Sequence, residues 1–207
     1  MYVLHWERMS GAIAPQALMA EIGVAYETKP VDMAADAHKA PAYRRLCPTM
    51  RVPALETPEG DVIGESGAMI VLLGERHPEA GLVPAVGDPE RARFLFWLFY
   101  MASVGYPTFS RAWHPEQFTR EAEAEASIRA VAPADLPALF RIIDGAIGGD
   151  PYFLERGFSG LDVYLAMIAR WSPDRGGLFA ENPRVAAVCR AVERRAASGA
   201  VFREHFD

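Results

Sequence analysis

Proline 53 restricts this chain more than any other residue, because it stands immediately before a short run of strand-forming residues, Ala54-Leu55-Glu56-Thr57. A proline has no N–H for a sheet ladder, so such a strand must begin there or lie at an edge. An X-Pro bond is also the one peptide bond that adopts the cis form at modest cost. With Val52-Pro53 cis, the N–H and C=O of Val52 stand clear of the sheet and offer two hydrogen bonds to an extended peptide, which is strand addition on a one-residue scale. Val62 to Gly64 follows across Pro58-Glu59-Gly60-Asp61, a turn sequence that makes the two runs an antiparallel hairpin.

The residues on either side decide what the hairpin belongs to. Tyr2 to Trp6 is a short apolar strand, and Ile13 to Ile22 places apolar residues at 13, 17, 18 and 22, a helical face closed by Gly23. Tyr26 to Val31 returns as a strand, which Pro30 makes an edge strand or ends early. Two parallel strands joined by a helix form a right-handed α/β crossover. Asp32 to Met50 is polar and irregular, with a short helix at Pro41 to Leu46. After the hairpin, Ser66 to Glu75 is a helix with Ala68, Met69, Leu72 and Leu73 inward, stopped by His77-Pro78. The order βαβ then ββα, with a proline ahead of the third strand, is that of an α/β thioredoxin-like domain, expected over residues 1–80.

Residues 81–87 have no periodicity and are expected to be a linker. Residues 88–207 are expected to form an all-α helical-bundle domain. Asp88 is expected to cap its first helix with Pro89 at the first position, and the aromatic run Phe94, Phe96, Trp97, Phe99 and Tyr100 covers much of that helix's circumference. A helix apolar nearly all round is buried or makes an interface. Glu121 to Val131 is an exposed acidic helix, and the apolar stretch Leu136 to Ile147 ends at Gly148-Gly149. Ser159-Gly160-Leu161-Asp162 is a shortened capping box, with Asp162 a structural cap, ahead of the apolar run Val163 to Trp171. Asn182-Pro183 starts the last long helix, which Ser198-Gly199 is expected to close.

Ten residues past Leu55, Glu65-Ser66 ends a strand and opens a helix. Backbone N–H groups, a hydroxyl and the positive end of the helix dipole there favour a carboxylate. Glu65 beside them suits an ammonium, so the pair suits an amino-acid head group. Arg51, Val52-Pro53 and Glu65-Ser66, in this order and spacing, resemble the glutathione site of the cytosolic glutathione transferases, bacterial type. The resemblance implies that the cysteinyl backbone of glutathione lies on Val52-Pro53, its γ-glutamyl end on Glu65-Ser66, and its glycine carboxylate near Arg51. It covers nearly the whole chain, since that family also carries a helical second domain with a Ser-x-x-Asp helix start.

Such enzymes need a donor that stabilises the thiolate of bound glutathione, usually a Tyr, Ser or Cys near the end of the first strand or in the loop after it. Here that loop is Glu7-Arg8-Met9-Ser10-Gly11-Ala12. The family's usual Cys or Ser position falls on Gly11 and its Tyr position near Trp6, and neither side chain can do this. Ser10, one residue early, is the candidate catalytic donor, unless it is only a loop residue. Backbone N–H groups at the helix start are the other candidate, acting as an oxyanion hole does. The loop has no cysteine, which disfavours a dithiol mechanism.

Arg8, Tyr106, Phe109, Trp113 and His114 are candidate substrate-pocket residues that suit a hydrophobic electrophile held in a cleft between the domains; the aromatic ones among them serve equally as core. The function expected is conjugation of glutathione in detoxification, or a related peroxide-reducing or ether-cleaving activity. The alternative is a non-catalytic binding or regulatory protein of the same fold. The resemblance also implies a homodimer.

The net charge of −6 over 207 residues argues against a nucleic-acid surface, which needs clustered Lys and Arg. No apolar run reaches the ~18 residues of a membrane span, and the N-terminus opens directly as a strand, so a cytoplasmic location is expected. Cys47 and Cys189 are far apart and in no metal spacing, so neither a disulfide nor a metal is expected.

Overall fold

The computed structural model describes residues 1–207 and divides into two compact units, Met1–Asp88 with Val192–Asp207, and Pro89–Ala191. In the first, β1 (Tyr2–Trp6), β2 (Tyr26–Pro30), β3 (Ala54–Glu56) and β4 (Val62–Ile63) form one sheet of order β2-β1-β3-β4. β1 pairs parallel with β2, and β3 runs antiparallel to both β1 and β4. Pro30 therefore ends an edge strand, as expected. Helix α1 (Ile13–Ile22) makes the crossover; Gly23 ends it at φ 79, with its N–H on the Met19 carbonyl. Short helix α2 (Pro41–Leu46) precedes the hairpin, and α3 (Ser66–Arg76) follows it. The thioredoxin-like order is thus the one observed.

The expected linker is less free than its sequence implied. Leu82 and Val83 are buried, and Val83 sits so close to α3 that a Cβ on Gly74 would lie 2.2 Å from its Cγ2.

Helix α1 is buried along every residue from Ile13 to Met19, where one apolar face was expected. The reason is a helix at the far end of the chain. Ser198-Gly199 does not close the last helix: α10 (Pro183–Arg194) ends earlier, and the two residues lie inside α11 (Ala196–Phe206), which packs on α1. The Glu21 carboxylate of α1 accepts both Arg195 Nε and Nη2, at 2.9 and 2.7 Å, and the Ser198 N–H and hydroxyl at 3.1 and 2.8 Å. Burial pushes this carboxyl's pKa up, and the hydrogen bonds from Arg195 and Ser198 outweigh it and leave the pKa below its ordinary value.

In the second unit, α4 (Arg91–Tyr100) runs through one π-helical stretch, Met101–Gly105, into α5 (Tyr106–Trp113). Pro107 lacks the N–H that would bond the Ser103 carbonyl, which accounts for the widened register just before it. Asp88 is not the cap of α4. Glu90 holds the N-cap position, and its carboxylate instead accepts the amides of Glu155 and Arg156, both at 3.0 Å. Phe94 and Leu98 are core, whereas Phe96 and Phe99 are exposed. Helix α6 (Ala122–Val131) has no buried residue, as its acidic sequence implied. Helix α8 (Gly160–Arg170) is buried from Gly160 to Ala169, α7 (Leu136–Ala146) buries one face through Leu136, Leu139, Phe140 and Ile143, and α9 (Arg175–Glu181) is an element that the sequence does not announce. Ser159 and Asp162 form the expected capping box at the start of α8.

Candidate functional site

Strand register brings the separate pieces of the predicted site to one end of the sheet. Leu55 pairs with Ile63 and Glu56 with Val62, so continuing the hairpin past its last pair sets Pro53 opposite Glu65. His5 pairs with Ala54, so the same continuation brings the end of β1, and the loop after it, to that end too. The Val52-Pro53 bond is cis, as expected. Val52 lies beyond the last ladder pair of β3, which leaves its main chain out of the sheet.

The turn before the proline is held from α2. Tyr43 donates its phenol to the Arg51 carbonyl at 2.7 Å, and the Cys47 thiol approaches the same oxygen at 3.7 Å. Tyr43, Cys47, Ala54 and Val31 form a small core against which Val52 packs. Burial raises the Tyr43 phenol well above its ordinary value, so it stays a donor. The Arg51 side chain is exposed.

Glu65 occupies the N-cap of α3 at φ 61, ψ 106, a left-sided conformation that a residue with a side chain adopts only under constraint. Its own side chain does not cap the helix. Ser66 is the first helical residue and is buried. Strained backbone of this kind at a helix start is a feature of ligand sites.

The loop after β1 is compact. The Ser10 hydroxyl donates to the Glu7 carbonyl at 2.7 Å and accepts the Ala12 amide at 3.2 Å, and the Ser10 carbonyl accepts the Ile13 amide at 3.3 Å. Ser10 therefore acts here as the pin of the turn. Met9 before it has φ 56. Arg8 donates its Nε to the backbone carbonyl of His205, at 3.4 Å. A cavity of about 250 Å³ opens beside the loop, lined by Trp6, Glu7, Arg8, Pro30, Val31 and Asp32.

Of the candidate pocket residues of the second unit, Tyr106, Phe109 and Trp113 gather around Trp171. Phe109 is buried among Phe140 and Trp171, and Tyr106 meets Trp171 edge-on at 4.8 Å. Trp113 is half exposed, donates Nε1 to the Trp171 carbonyl at 3.1 Å, and lines a cavity of about 140 Å³ with Arg129, Pro133 and Leu136. His114 is exposed and lies 3.3 Å from Glu116. No cluster of three or more His, Cys, Asp or Glu side chains suits a metal ion, and no helix is long and apolar enough to cross a membrane.

Residues 15–76 match the family model described as Glutathione S-transferase, N-terminal domain. Over 149 residues the chain is 24% identical to an uncharacterized GST-like protein, YncG, of Escherichia coli K12, covering 72% of this chain and 71% of that one. It is 41% identical to the maleylacetoacetate isomerase of Pseudomonas aeruginosa over 71 residues, 33% of this chain and 32% of the relative. Among solved structures, a glutathione transferase homolog from Sulfitobacter with bound glutathione superposes with a TM-score of 0.90 at 25% identity, covering 99% of this chain and 98% of that one. A sphingomonad glutathione S-transferase complexed with glutathione superposes at 0.82, also at 25% identity, covering 98% of both chains.

Proposed function

We propose that this chain, which belongs to the glutathione transferases by its N-terminal domain and its fold, binds glutathione on its first unit and delivers the thiolate to a hydrophobic electrophile. One observation carries this reading: the cis Val52-Pro53 bond, the strained Glu65 and the buried Ser66 stand at the same end of the hairpin. In that arrangement the Val52 main chain pairs with the cysteinyl residue. The Glu65 carboxylate takes the γ-glutamyl ammonium, the α3 start and Ser66 take its carboxylate, and Arg51 takes the glycine carboxylate. The two superposable structures that hold glutathione support the assignment.

The sulfur needs a hydrogen-bond donor to hold it as thiolate. The Ser10 hydroxyl serves only by turning away from the Glu7 carbonyl, and the loop amides serve without that change. This commitment of Ser10 also favours the second reading, a binding protein of the same fold without chemistry. We further propose that the exposed Phe96 and Phe99 of α4 lie in a homodimer contact.

The test is a calorimetric glutathione titration of the wild-type chain, Glu65→Ala and Ser66→Ala. The expected result is binding by the wild type and a loss of about tenfold or more in each variant, the scale of one charge-assisted hydrogen bond. Unaltered binding in both variants refutes the site. Binding without turnover of any electrophile would select the second reading.

A further inference from the structure

We propose that His205, in the last turn of α11, is a positioning residue for the thiol loop, accepting the Met9 amide and so fixing the backbone from which Ser10 and the loop amides face the sulfur; this rests on the glutathione reading above. The loop between β1 and α1 has no ladder to shape it. Its tightest point is Met9, at φ 56 in a residue with a side chain, a conformation that needs an outside hold.

The hold comes from nearly 200 residues away. His205 Nδ1 accepts the Met9 N–H at 3.3 Å, the His205 carbonyl accepts Arg8 Nε, and the imidazole meets the Trp6 indole edge-on at 4.8 Å. An imidazole that accepts at Nδ1 carries its proton on Nε2. That proton has a partner, since Nε2 lies 2.8 Å from Gln16 Oε1 in α1. The Gln16 amide nitrogen in turn donates to Glu204 Oε2 at 2.8 Å. His205 and Gln16 are both fully buried, so the tautomer is fixed by a closed network with every polar atom partnered. Burial, with Arg8 adding to it, keeps the imidazole neutral down to about pH 4, so the acceptor is present throughout the neutral range. At its other end α11 is tied to the same helix, α1, through Glu21, Arg195 and Ser198. The imidazole is therefore presented to the loop by a helix fixed at both ends.

Two substitutions in the full-length chain separate positioning from simple packing. His205→Asn keeps an acceptor where Nδ1 stood, and His205→Gln reaches toward Gln16 but gives up the acceptor for Met9. The readouts are hydrogen exchange at the Met9 amide and the ultraviolet titration of the thiolate of bound glutathione. In His205→Gln, Met9 exchange is expected to rise about tenfold or more and the bound thiol to titrate about one pH unit higher. His205→Asn should stay near wild type in both, although both variants melt earlier. Unchanged Met9 exchange in His205→Gln, or equal thiol shifts in the two variants, overturns the proposal while the glutathione site stands. Absence of glutathione binding by the wild type overturns both. If His205→Gln does not fold, Gln16→Met removes the partner that fixes the ring, and the same rise in Met9 exchange is expected; unchanged exchange there is equally fatal.

Discussion

Replacing Asp162 by alanine should unfold the second unit at markedly lower denaturant. The Asp162 carboxylate is fully buried and accepts the Phe153 amide at 2.7 Å, the Ser159 amide at 2.7 Å and the Ser159 hydroxyl at 2.9 Å. Alanine leaves these three donors without a partner and without room for bulk water, at about 1–3 kcal/mol each, or about 3–9 kcal/mol together. Against this stands the relief of a buried charge. Burial pushes this carboxyl up to about 6 from an ordinary 3.8, and its hydrogen bonds only partly offset that. A gap of about two pH units corresponds to about 3 kcal/mol for the ionised form near neutral pH. The net loss is therefore centred on about 3 kcal/mol, a large share of the ~5–15 kcal/mol typical of a folded protein. The assay is urea unfolding followed by tryptophan fluorescence, which Trp171 at the C-cap of α8 reports from the same helix. Asp162→Asn retains one acceptor oxygen and should lose roughly half as much. If both variants unfold within about 0.5 kcal/mol of wild type, the capping network does not hold α8 and the reasoning fails.

Gly74→Ala should destabilise the first unit by about 1–3 kcal/mol, because its Cβ would lie 2.2 Å from Val83 Cγ2 and 2.4 Å from Val83 Cβ; thermal melts check it, and Val83→Ala in the same chain should recover part of the loss. His205 and Asp162 should give opposite responses to acid. His205 is held down to about 4 from 6.5 by burial and by Arg8, so the stability it contributes is present above 6.5 and is lost as pH falls toward 4. Asp162, raised to about 6 from 3.8, adds stability over its own window as pH falls. Urea midpoints from pH 7 to 4.5 should therefore show the deficit of His205→Gln narrowing and that of Asp162→Asn widening; gaps that stay constant would contradict both assignments.

Local chemistry makes most of the first unit legible in its sequence. Pro53 could head a strand only at an opening in the ladder, Gly23 could end α1 because it takes φ 79, and Glu65-Ser66 read as a helix start. Each of these is decided by a residue and its immediate neighbours. The helical unit was less legible for the same reason. Its helices differ in which neighbour they meet, so the sequence shows α5 only as an aromatic cluster and does not mark α9, and it cannot tell Asp88 from Glu90 as the cap of α4, because a side chain that caps and one that braces a distant loop are both carboxylates. At Glu90 the second role won, since two loop amides compete for it.

The instructive failure is Ser198-Gly199, since serine and glycine together are the usual mark of a helix end. Here they mark a corner. Gly199 is required because a Cβ would meet the Glu193 carbonyl oxygen at 2.3 Å, where α11 turns off α10. Ser198 lies in the first turn of α11, where amides have no partner within the helix, and the carboxylate that takes its N–H is Glu21, from α1. The sequence held one trace of this. Gln16 interrupts the apolar run from Ile13 to Met19, and a buried amide side chain must find a polar partner. It finds His205 and Glu204. A helix that is apolar on one face and carries a buried glutamine and a buried carboxylate on the others therefore implies a second helix lying along it. In this chain that helix is α11, whose His205 reaches the loop after β1, so the polar residues of α1 that explain the packing also explain how a residue nearly 200 positions away comes to hold the Met9 amide.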